Sequence, residues 1–386
     1  MNVWLVEPYY TGSHRAWADG YRARSRHRVG LLTLPGRFWK WRMQGGAVTL
    51  ARRAARLKDP PDLILASDML NLPLFLAMAG PRLASVPVVL YFHENQLTYP
   101  LQPGEKRDLH YGFLNWASAL RAGAVCFNSA YHRDEFLDEL PRLLKHFPDY
   151  TELWSVEEIQ ARSRVLPLGL DLARFDGLRP EQEAKGRPTI VWNHRWEYDK
   201  DPATFFRAIY ALADEGLDFG LILLGETFRN RPDEFLEARE RLPDRIVHFG
   251  YAPDAADYGR LLWQADVVVS TALHEFFGAA VVEACYCGCF PVLPRRLSYP
   301  EQIPPEHHAA CLYDDFEGLL ERLRWALAHV DEVRRLSLAP VMTAYDWSAM
   351  APRYDALLES VLVTYRPESR TSASAAARSS ATWGST

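Results

Sequence analysis

The stretch 270–294 (STALHEFFGAAVVEACYCGCFPVLP) constrains the fold more than any other part of the chain. Residues 266–271 (DVVVST) are β-branched and uncharged after the first position, which predicts a short, buried parallel strand. The chain must then turn. Glu275 lies in this turn, Gly278 allows close backbone approach, and Glu283 follows about a turn and a half into the next helix. The stretch therefore predicts a strand-turn-helix unit of a parallel α/β sheet.

The same unit predicts a ligand site. Free amides at the start of a helix favour an anion. A carboxylate, these amides and a second carboxylate lie in sequence along one edge, which suits a sugar, a diphosphate and a ribose laid end to end. Two glutamates at this spacing also occur on solvated helix faces, so the preceding strand and the following CGCFPV segment carry part of the argument. Together they favour a sugar-nucleotide site.

The rest of the chain alternates short apolar strands with amphipathic helices, the order that a parallel sheet requires. With 386 residues, two domains can each bury a core. We predict two α/β domains with parallel sheets; that they are Rossmann-like and face each other across a cleft is what the family resemblance described below implies. The predicted boundaries are 1–168 for the first domain, 169–345 for the second, 346–365 for a helix that packs back toward the first domain, and 366–386 for a disordered tail rich in Ser and Ala.

Composition excludes several classes of protein. No apolar run reaches the length of a membrane span, and the N-terminal residues lack the features of a signal peptide, so a cytoplasmic location without membrane attachment is expected. The cysteines are five in number and three of them alternate at 285, 287 and 289. That pattern suits neither a disulfide framework nor a metal site and predicts buried, reduced thiols.

Charge is unevenly distributed. Residues 1–60 contain twelve Lys or Arg against three Asp or Glu, although the whole chain has a net charge of -5. Such an excess is either a solvated face or a surface for a polyanionic acceptor. Charge alone leaves both interpretations open.

The basic region contains an unusual aromatic segment. In RFWKWR (37–42), Trp39 and Trp41 alternate with Lys40 and Arg42. An extended backbone would place both rings on one face and both charges on the other. The rings then either stack on bases beside phosphates or pack into the core.

Two polar loops follow predicted strands of the first domain, at the edge where open α/β sheets bind ligands. Gly12 permits a tight turn in the loop after the first strand, and Ser13 is predicted to cap the next helix. The sequence HENQ (93–96) follows the strand PVVLYF. Four polar side chains there are costly unless they contact one another, water or a ligand, which favours a functional role.

In the second domain, Arg195 and Lys200 lie between a strand and a helix. A planar guanidinium and an ammonium at that position suit a diphosphate. The alternative is that they pair with nearby acidic residues at 197, 199 and 201.

These motifs resemble known families. The two glutamates with the CGCFPV segment resemble the donor site of retaining glycosyltransferases with two facing Rossmann-like domains, the GT-B architecture. In such enzymes the first glutamate contacts the transferred sugar and the second holds the ribose. The chain is also similar, over most of both domains, to the tRNA-queuosine alpha-mannosyltransferase family in the segments YTGSH (10–14), TLP (33–35), WKWR (39–42), LNL (70–72), LYFHENQL (90–97), FNS (127–129), HRWEYDKDP (194–202) and GETF (225–228). Thr11 departs from the family pattern, which has a second glycine there.

The resemblance implies transfer of mannose from GDP-mannose, with retention, to the cyclopentenediol of queuosine at the wobble position of an aspartate tRNA. No metal and no cofactor besides the donor is expected, and the oligomeric state is not assigned. The expected site comprises catalytic Glu275 and His93, donor-binding Arg195, Lys200, Glu283, Gly278, Phe277 and Gly12, and acceptor-binding Ser13, His14, Trp39, Arg42, Glu94, Asn95 and Gln96. Rival interpretations are a transferase for a glycan, lipid or small molecule, and a non-catalytic tRNA-binding protein.

Overall fold

The structure is a computed structural model that describes residues 1–101, 104–180, 186–226 and 233–365; the predicted tail lies outside these ranges. The described chain forms two six-stranded sheets in which every paired strand is parallel. Helices alternate with the strands, as parallel connections require. The predicted α/β fold with two parallel sheets is confirmed.

The first sheet has the strand order β2-β1-β3-β4-β5-β6. Its strands are β1 (Asn2–Tyr10), β2 (Arg28–Pro35), β3 (Leu63–Ser67), β4 (Val88–Phe92), β5 (Ala124–Phe127) and β6 (Ser163–Val165). Its helices are α1 (Gly12–Arg24), α2 (Trp39–Gln44), α3 (Gly46–Ala54), α4 (Leu72–Ala79), α5 (Pro81–Ala84), α6 (Leu109–Arg121), α7 (Ala130–Leu144) and α8 (Trp154–Arg162). Strands β3, β4 and β5 are buried along their whole length, which explains their continuous apolar sequence.

The second sheet has the order β12-β11-β10-β7-β8-β9. Its strands are β7 (Thr189–Asn193), β8 (Gly220–Leu224), β9 (Ile246–Gly250), β10 (Val267–Val269), β11 (Phe290–Pro294) and β12 (Leu312–Tyr313). The helices are α9 (Pro202–Asp214), α10 (Asp233–Arg241), α11 (Ala255–Gln264), α12 (Ala279–Tyr286), α13 (Tyr299–Gln302), α14 (His308–Cys311), α15 (Phe316–Ala328), α16 (Val330–Arg335), α17 (Ala339–Met342) and α18 (Trp347–Tyr365). Short 3₁₀ turns lie at Ala173–Leu178, Tyr198–Lys200, Pro305–His307 and Thr343–Tyr345.

The last helix, α18, packs against α1 of the first sheet. The Tyr21 hydroxyl donates to Asp355 at 2.8 Å, and the Trp17 indole N–H donates to the Tyr354 hydroxyl at 3.2 Å. The Trp347 ring lies so close to Gly20 that any Cβ there would overlap it. The chain thus crosses from the second sheet back to the first in a tightly packed contact.

One local expectation, the Ser13 cap, was wrong, and the extended backbone considered for residues 39–42 is not observed. The first helix begins at Gly12 with Thr11 at its N-cap and no side-chain cap, so Ser13 is inside the helix. The segment 39–42 is helical rather than extended. In a helix, positions 39 and 41 point about 200° apart, so the two tryptophans do not share a face.

The cysteines are buried and free of disulfides, as expected for reduced thiols. Within the described ranges, no helix combines the length and apolar character needed to cross a membrane.

Candidate functional site

The second sheet reverses its winding between β7 and β10, which lie side by side with Val267 opposite Ile190. From β7 the chain proceeds to β8 on one side, and from β10 it proceeds to β11 on the other. Ligands of open α/β sheets bind at the carboxyl ends of strands at such a switch point. The loops that leave this point carry residues 194–200 and 271–278, so Arg195, Lys200 and Glu275 lie where the rule predicts.

Lys200 and Glu275 form the ionic centre of this edge. The Lys200 Nζ donates to Glu275 Oε2 at 3.3 Å and to the carbonyl oxygen of His274 at 2.7 Å. It also lies 3.1 Å from Asp199 Oδ2, an ion pair without hydrogen-bond geometry. Burial alone would raise the pKa of Glu275, but Lys200, with smaller contributions from two histidines, lowers it to about 2. Glu275 is therefore a carboxylate at any physiological pH.

Arg195 lies beside this pair and is half-exposed. Its guanidinium is 3.2 Å from Glu197 Oε2 and donates to the Tyr99 hydroxyl at 3.3 Å. Tyr99 follows the HENQ loop of the first sheet, so this contact bridges the two domains. Arg195 and Lys200 therefore do pair with nearby acidic residues, as the alternative interpretation proposed. Both residues nevertheless lie at the edge of the sheet where a ligand would bind.

The backbone at the start of α12 leaves room for a ligand to approach it closely. Gly278 has φ +90°, which an L residue rarely adopts, and a Cβ there would lie 3.1 Å from the Tyr299 ring. The Phe277 ring is buried and packs edge-on against Tyr345. Its carbonyl oxygen accepts hydrogen bonds from Ser298 and Gln302. The backbone before α12 is thereby held in place, and the Phe277 N–H donates to Glu275 Oε1 at 3.4 Å.

Glu283 lies farther along α12 and has two partners. Its Oε1 accepts from Arg174 at 2.7 Å, and its Oε2 accepts from the Tyr258 hydroxyl at 2.8 Å. Burial raises the pKa of Glu283, while Arg174 and Tyr258 act in the opposite direction. The carboxylate is held in a fixed orientation at the same sheet edge as Glu275.

The first domain contributes a buried polar cluster after β1 and β4. His14 Nδ1 is 2.9 Å from Glu7 Oε2, and the His14 and His93 ring centroids are 4.2 Å apart. Burial would lower the pKa of His14, but Glu7 outweighs it and raises the pKa to about 9. His93 is neutral, because burial and then the His14 charge hold its pKa well below the usual value. Glu7, His14 and His93 each offer a ligand atom within 4.8 Å of one another, and the ion pair already engages two of these groups.

His93 itself is held by its backbone. Its N–H donates to Asp68 Oδ1 at 2.8 Å, and its carbonyl oxygen accepts from Asn128 at 2.9 Å. The His93 Nε2 atom is buried without a hydrogen-bond partner among the described residues. An unpaired buried nitrogen costs about 1–3 kcal/mol, so a ligand hydroxyl is its natural partner.

Of the three residues after His93, two bond to each other and one bonds to the backbone of its own turn. Gln96 donates to Glu94 Oε1 at 3.0 Å, and burial raises the pKa of Glu94. Asn95 is fully buried, and its side-chain oxygen accepts from the backbone of Leu97 and Thr98 at 3.0 Å. Glu94 and Gln96 therefore form a pair in the loop, whereas Asn95 is directed into its own turn and supports that loop.

Four other expected site residues, the donor-binding Gly12 and the acceptor-binding Ser13, Trp39 and Arg42, lie beyond this cluster. Gly12 and Ser13 are exposed at the start of α1. Trp39 packs against Tyr111, with ring centroids 5.0 Å apart, and Arg42 donates to the carbonyl oxygen of Pro35 at 2.9 Å. Ser13 directly precedes His14, but among the described residues no side-chain hydrogen bond or ring contact joins Ser13, Trp39 or Arg42 to His14 or His93.

Sequence reasoning missed Glu7, Tyr99, Arg174 and Tyr258. Glu7 is the charge that ends the apolar run VWLV, and that position alone could have indicated it. The other three lie in segments without a distinctive pattern, and they reach the site only through tertiary packing.

The two domains meet directly beside Glu275. The Ser129 hydroxyl donates to the carbonyl oxygen of Phe276 at 2.6 Å, and the His132 ring stacks on the Phe276 ring at 3.8 Å. The Glu301 carboxylate accepts from the backbone of Ala130 and Tyr131. The loop after β10 is thus enclosed by the start of α7, and the Ser129 hydroxyl caps that helix by accepting from the His132 N–H at 3.0 Å.

Comparisons with known proteins match this arrangement. A model of the N-terminal region of tRNA-queuosine alpha-mannosyltransferase matches residues 2–170, and one of glycosyl transferases group 1 matches residues 176–337. The sucrose-phosphate synthase of Thermosynechococcus elongatus has a similar fold, with a TM-score of 0.68, 16% identity, and coverage of 94% of this chain and all of its own. The fold is thus the GT-B architecture of two facing Rossmann-like domains.

Proteins related in sequence give more specific information about this chain than the similarity in fold does. A GDP-mannose-dependent alpha-(1-6)-phosphatidylinositol dimannoside mannosyltransferase of Mycobacterium tuberculosis is 26% identical over 79% of this chain and 76% of its own length. The tRNA-queuosine alpha-mannosyltransferase of Drosophila melanogaster is 33% identical over 332 residues, covering 83% of this chain and 86% of that protein. Because this identity extends through both domains and the N-terminal model matches separately, the chain belongs to the tRNA-queuosine alpha-mannosyltransferase family.

Proposed function

We propose that this protein is a retaining hexosyltransferase that transfers mannose from GDP-mannose to the cyclopentenediol of queuosine at the wobble position of tRNA. Membership of the family supports queuosine as the acceptor and mannose as the transferred sugar. The observation that carries the chemistry is the Lys200–Glu275 pair at the β7/β10 switch point. An aspartate tRNA, a cytoplasmic location and catalysis without a metal ion complete the proposal.

On the donor side, Arg195 and Lys200 are proposed to bind the diphosphate together with the backbone amides from Phe277 onward. Glu283 is proposed to accept hydrogen bonds from the ribose hydroxyls, in place of or beside Arg174 and Tyr258. Gly12 is proposed to allow the first-domain loop to approach the donor. Glu275, held as a carboxylate by Lys200, is proposed to orient the mannose hydroxyls.

Transfer with retention is proposed to follow a same-face route. The bond between the mannose anomeric carbon and the β-phosphate oxygen breaks, and the acceptor hydroxyl oxygen bonds to that carbon from the same side. The hydroxyl proton passes to the departing phosphate, which leaves as GDP. Charge develops on the leaving phosphate, so the cations of Arg195 and Lys200 and the helix amides stabilise the transition state. Positioning supplies much of the remaining rate enhancement.

On the acceptor side, the neutral His93 is proposed to contact the reacting sugar through its unpaired Nε2. His14, Glu94 and Gln96 are proposed to face the cyclopentenediol, and Asn95 to hold their loop. Ser13, Trp39 and Arg42 are proposed to meet the tRNA farther from the reacting centre.

Nucleoside mass analysis tests the proposal. Queuosine-containing tRNA is incubated with the protein and GDP-mannose, with UDP-glucose and queuosine-free tRNA as parallel controls. A queuosine peak heavier by one hexose, formed only with GDP-mannose, is the expected result, and Glu275→Gln should greatly reduce it.

The controls separate the rival functions. Mass gain on a small hydroxylated acceptor but not on tRNA would identify a different transferase. Binding of tRNA without transfer from any donor would identify a non-catalytic binding protein.

A further inference from the structure

Two large aromatic side chains next to the first-domain site are turned toward solvent. Phe38 is 79% exposed and Trp41 is 61% exposed, whereas Trp39 between them is partly buried against Tyr111. We propose that Phe38 and Trp41 form a platform, the α2 aromatic platform, on which unpaired bases of the acceptor RNA stack. This inference rests on the proposed tRNA acceptor and deepens it.

The backbone holds Phe38 in an unfavourable conformation. Its φ of 53° and ψ of 61° lie in the left-handed region, which favours glycine or asparagine rather than an aromatic residue. The residue forms the N-cap of α2, and its carbonyl oxygen accepts from the Arg42 N–H at 3.1 Å. A buried ring would compensate for this strain through packing, but this ring is mostly exposed. Phe38 is therefore a residue whose side chain adds little to folding and is available to a partner.

The Trp41 ring is supported on one side only. Gly45 lies directly against the indole, and a Cβ at this position would overlap the six-membered ring. Most of the side chain is nonetheless exposed. A ring that is fixed against the backbone in this way loses little conformational entropy when a base stacks on it.

Cationic residues neighbour the two rings in the sequence. Arg37 and Lys40 are exposed, and the Lys40 ammonium lies 5.5 Å from the Trp39 ring centre on the other side of the helix. Residues 1–60 carry the excess of basic residues noted above. Aromatic faces interleaved with cations are the combination that binds single-stranded nucleic acid, because bases stack while phosphates are neutralised. A neutral glycan would use the rings but gain little from the charges.

The platform lies at the same edge of the first sheet as the proposed reacting centre. Helix α2 follows β2, which pairs with β1 at the edge that carries Glu7 and His14. Gly36, at the end of β2, packs against Thr11 so closely that a Cβ would overlap its side chain. A wobble nucleoside is flanked by other bases of an unpaired loop, and unpaired loop bases are what aromatic side chains read in RNA. The platform is therefore proposed to hold neighbours of the modified nucleoside.

Steady-state transfer of mannose to queuosine tRNA tests this inference. Phe38→Ala and Trp41→Ala should each raise the KM for tRNA about tenfold, which corresponds to one lost stacking contact. The KM for GDP-mannose should stay within twofold. Phe38→Tyr and Trp41→Phe keep a ring and should restore most of the tRNA affinity.

Phe38→Gly separates binding from folding. Glycine relieves the left-handed strain, so this variant should melt at the same or a higher temperature while its KM for tRNA rises. Tyr150→Gly is the matched control, because Tyr150 is 87% exposed with φ 46° and precedes α8 at the opposite end of the first sheet. That control should gain thermal stability and leave the KM for tRNA unchanged.

The outcomes distinguish this inference from the proposed function. If the protein mannosylates queuosine tRNA and all ring-removing variants keep its KM within twofold, the platform is refuted and the function stands. If no mannose is transferred to tRNA, the same variants are compared by fluorescence anisotropy with labelled queuosine tRNA. Tenfold weaker binding in the variants would then support the platform without the activity, and equal or absent binding would refute it. An affinity of the parent protein for tRNA that does not fall as salt rises would mean that the neighbouring cations bind no phosphate, and would also refute it.

Discussion

The Glu301 carboxylate of the second domain lies 2.7 Å from the amide nitrogen of Ala130, the first residue of α7 in the other domain. Its second oxygen lies 2.6 Å from the amide nitrogen of Tyr131. The first amides of a helix lack intrahelical partners and attract negative charge. Glu301 therefore satisfies two of these amides across the domain boundary, next to the contact between Ser129 and Phe276.

We expect Glu301→Gln to weaken the contact between the domains. The charge-assisted hydrogen bonds to Ala130 and Tyr131 become neutral, and one oxygen is replaced by an amide group that cannot accept. A radius of gyration measured by X-ray scattering without nucleotide should increase, and turnover at saturating substrates should fall several-fold. Glu306→Gln, an exposed acid five residues farther along, is the control and should change neither quantity. An unchanged radius and rate in Glu301→Gln would show that this contact does not govern domain closure.

The grouping of most residues of the proposed donor site could be predicted from the sequence, because parallel sheets bring their strand ends to one edge. Glu275, Lys200 and Arg195 all follow apolar strands, so the pattern of strands was enough to group them. The position of Glu283 relative to Glu275 followed from its distance along a single helix. Each of these relationships can be read within a single segment of the sequence.

Contacts between segments could not be predicted in the same way. Arg174 and Tyr258 reach Glu283 from a 3₁₀ turn and from α11, and Glu301 reaches α7 from a short helix in the other domain. Their positions depend on how whole elements pack. The segment 39–42 alternates as a strand would, but four residues are too few to exclude a helix, and the packing of Trp39 on Tyr111 belongs to the helical form. Tertiary contacts of this kind leave no periodic signal.

We expect Arg195 and Glu275 to differ in their kinetic roles. Arg195→Ala removes a cation from the proposed diphosphate site and should raise the dissociation constant of GDP about tenfold, measured by calorimetry. Glu275→Gln should instead lower kcat by about 10²-fold and change GDP affinity little, because the lost contact is to the transferred sugar. Glu197→Gln, which removes the acidic neighbour of Arg195, should leave GDP binding equal or tighter. Normal turnover in Glu275→Gln would remove this residue from the reaction.

The Glu7–His14 pair predicts a pH dependence of stability. The pKa of His14 is raised to about 9, against 6.5 in the unfolded chain, so its stabilisation is complete below pH 6.5 and is lost as the pH rises through about 9. The parent protein should therefore lose on the order of 3 kcal/mol of unfolding free energy over this window. Glu7→Gln should flatten this dependence, and NMR titration of the His14 ring should show a lower pKa. A titration near pH 6.5 in the parent protein would contradict the ion pair.

Gly12 and Gly278 both have a positive φ, but only Gly278 has a neighbour close to the position of a Cβ atom. Comparing them separates backbone strain from steric crowding. Gly278 has φ +90°, and a Cβ there would lie 3.1 Å from the ring of Tyr299. That ring cannot retreat easily, because Tyr299 is fully buried and its hydroxyl is 2.7 Å from Ser270 Oγ. Gly12 has φ +48° and no atom within 4 Å of such a Cβ.

We therefore expect Gly12→Ala to cost about 1–2 kcal/mol of unfolding free energy through backbone strain alone. Gly278→Ala should cost a further ~1–3 kcal/mol, because overpacking is added to the strain. Urea denaturation of both variants measures the difference. Gly278→Ala should in addition weaken GDP binding, since the added methyl group holds the backbone away from the diphosphate. Equal destabilisation of the two variants with unchanged GDP affinity would mean that the start of α12 adjusts freely, and the proposed diphosphate site would have to lie elsewhere along the edge.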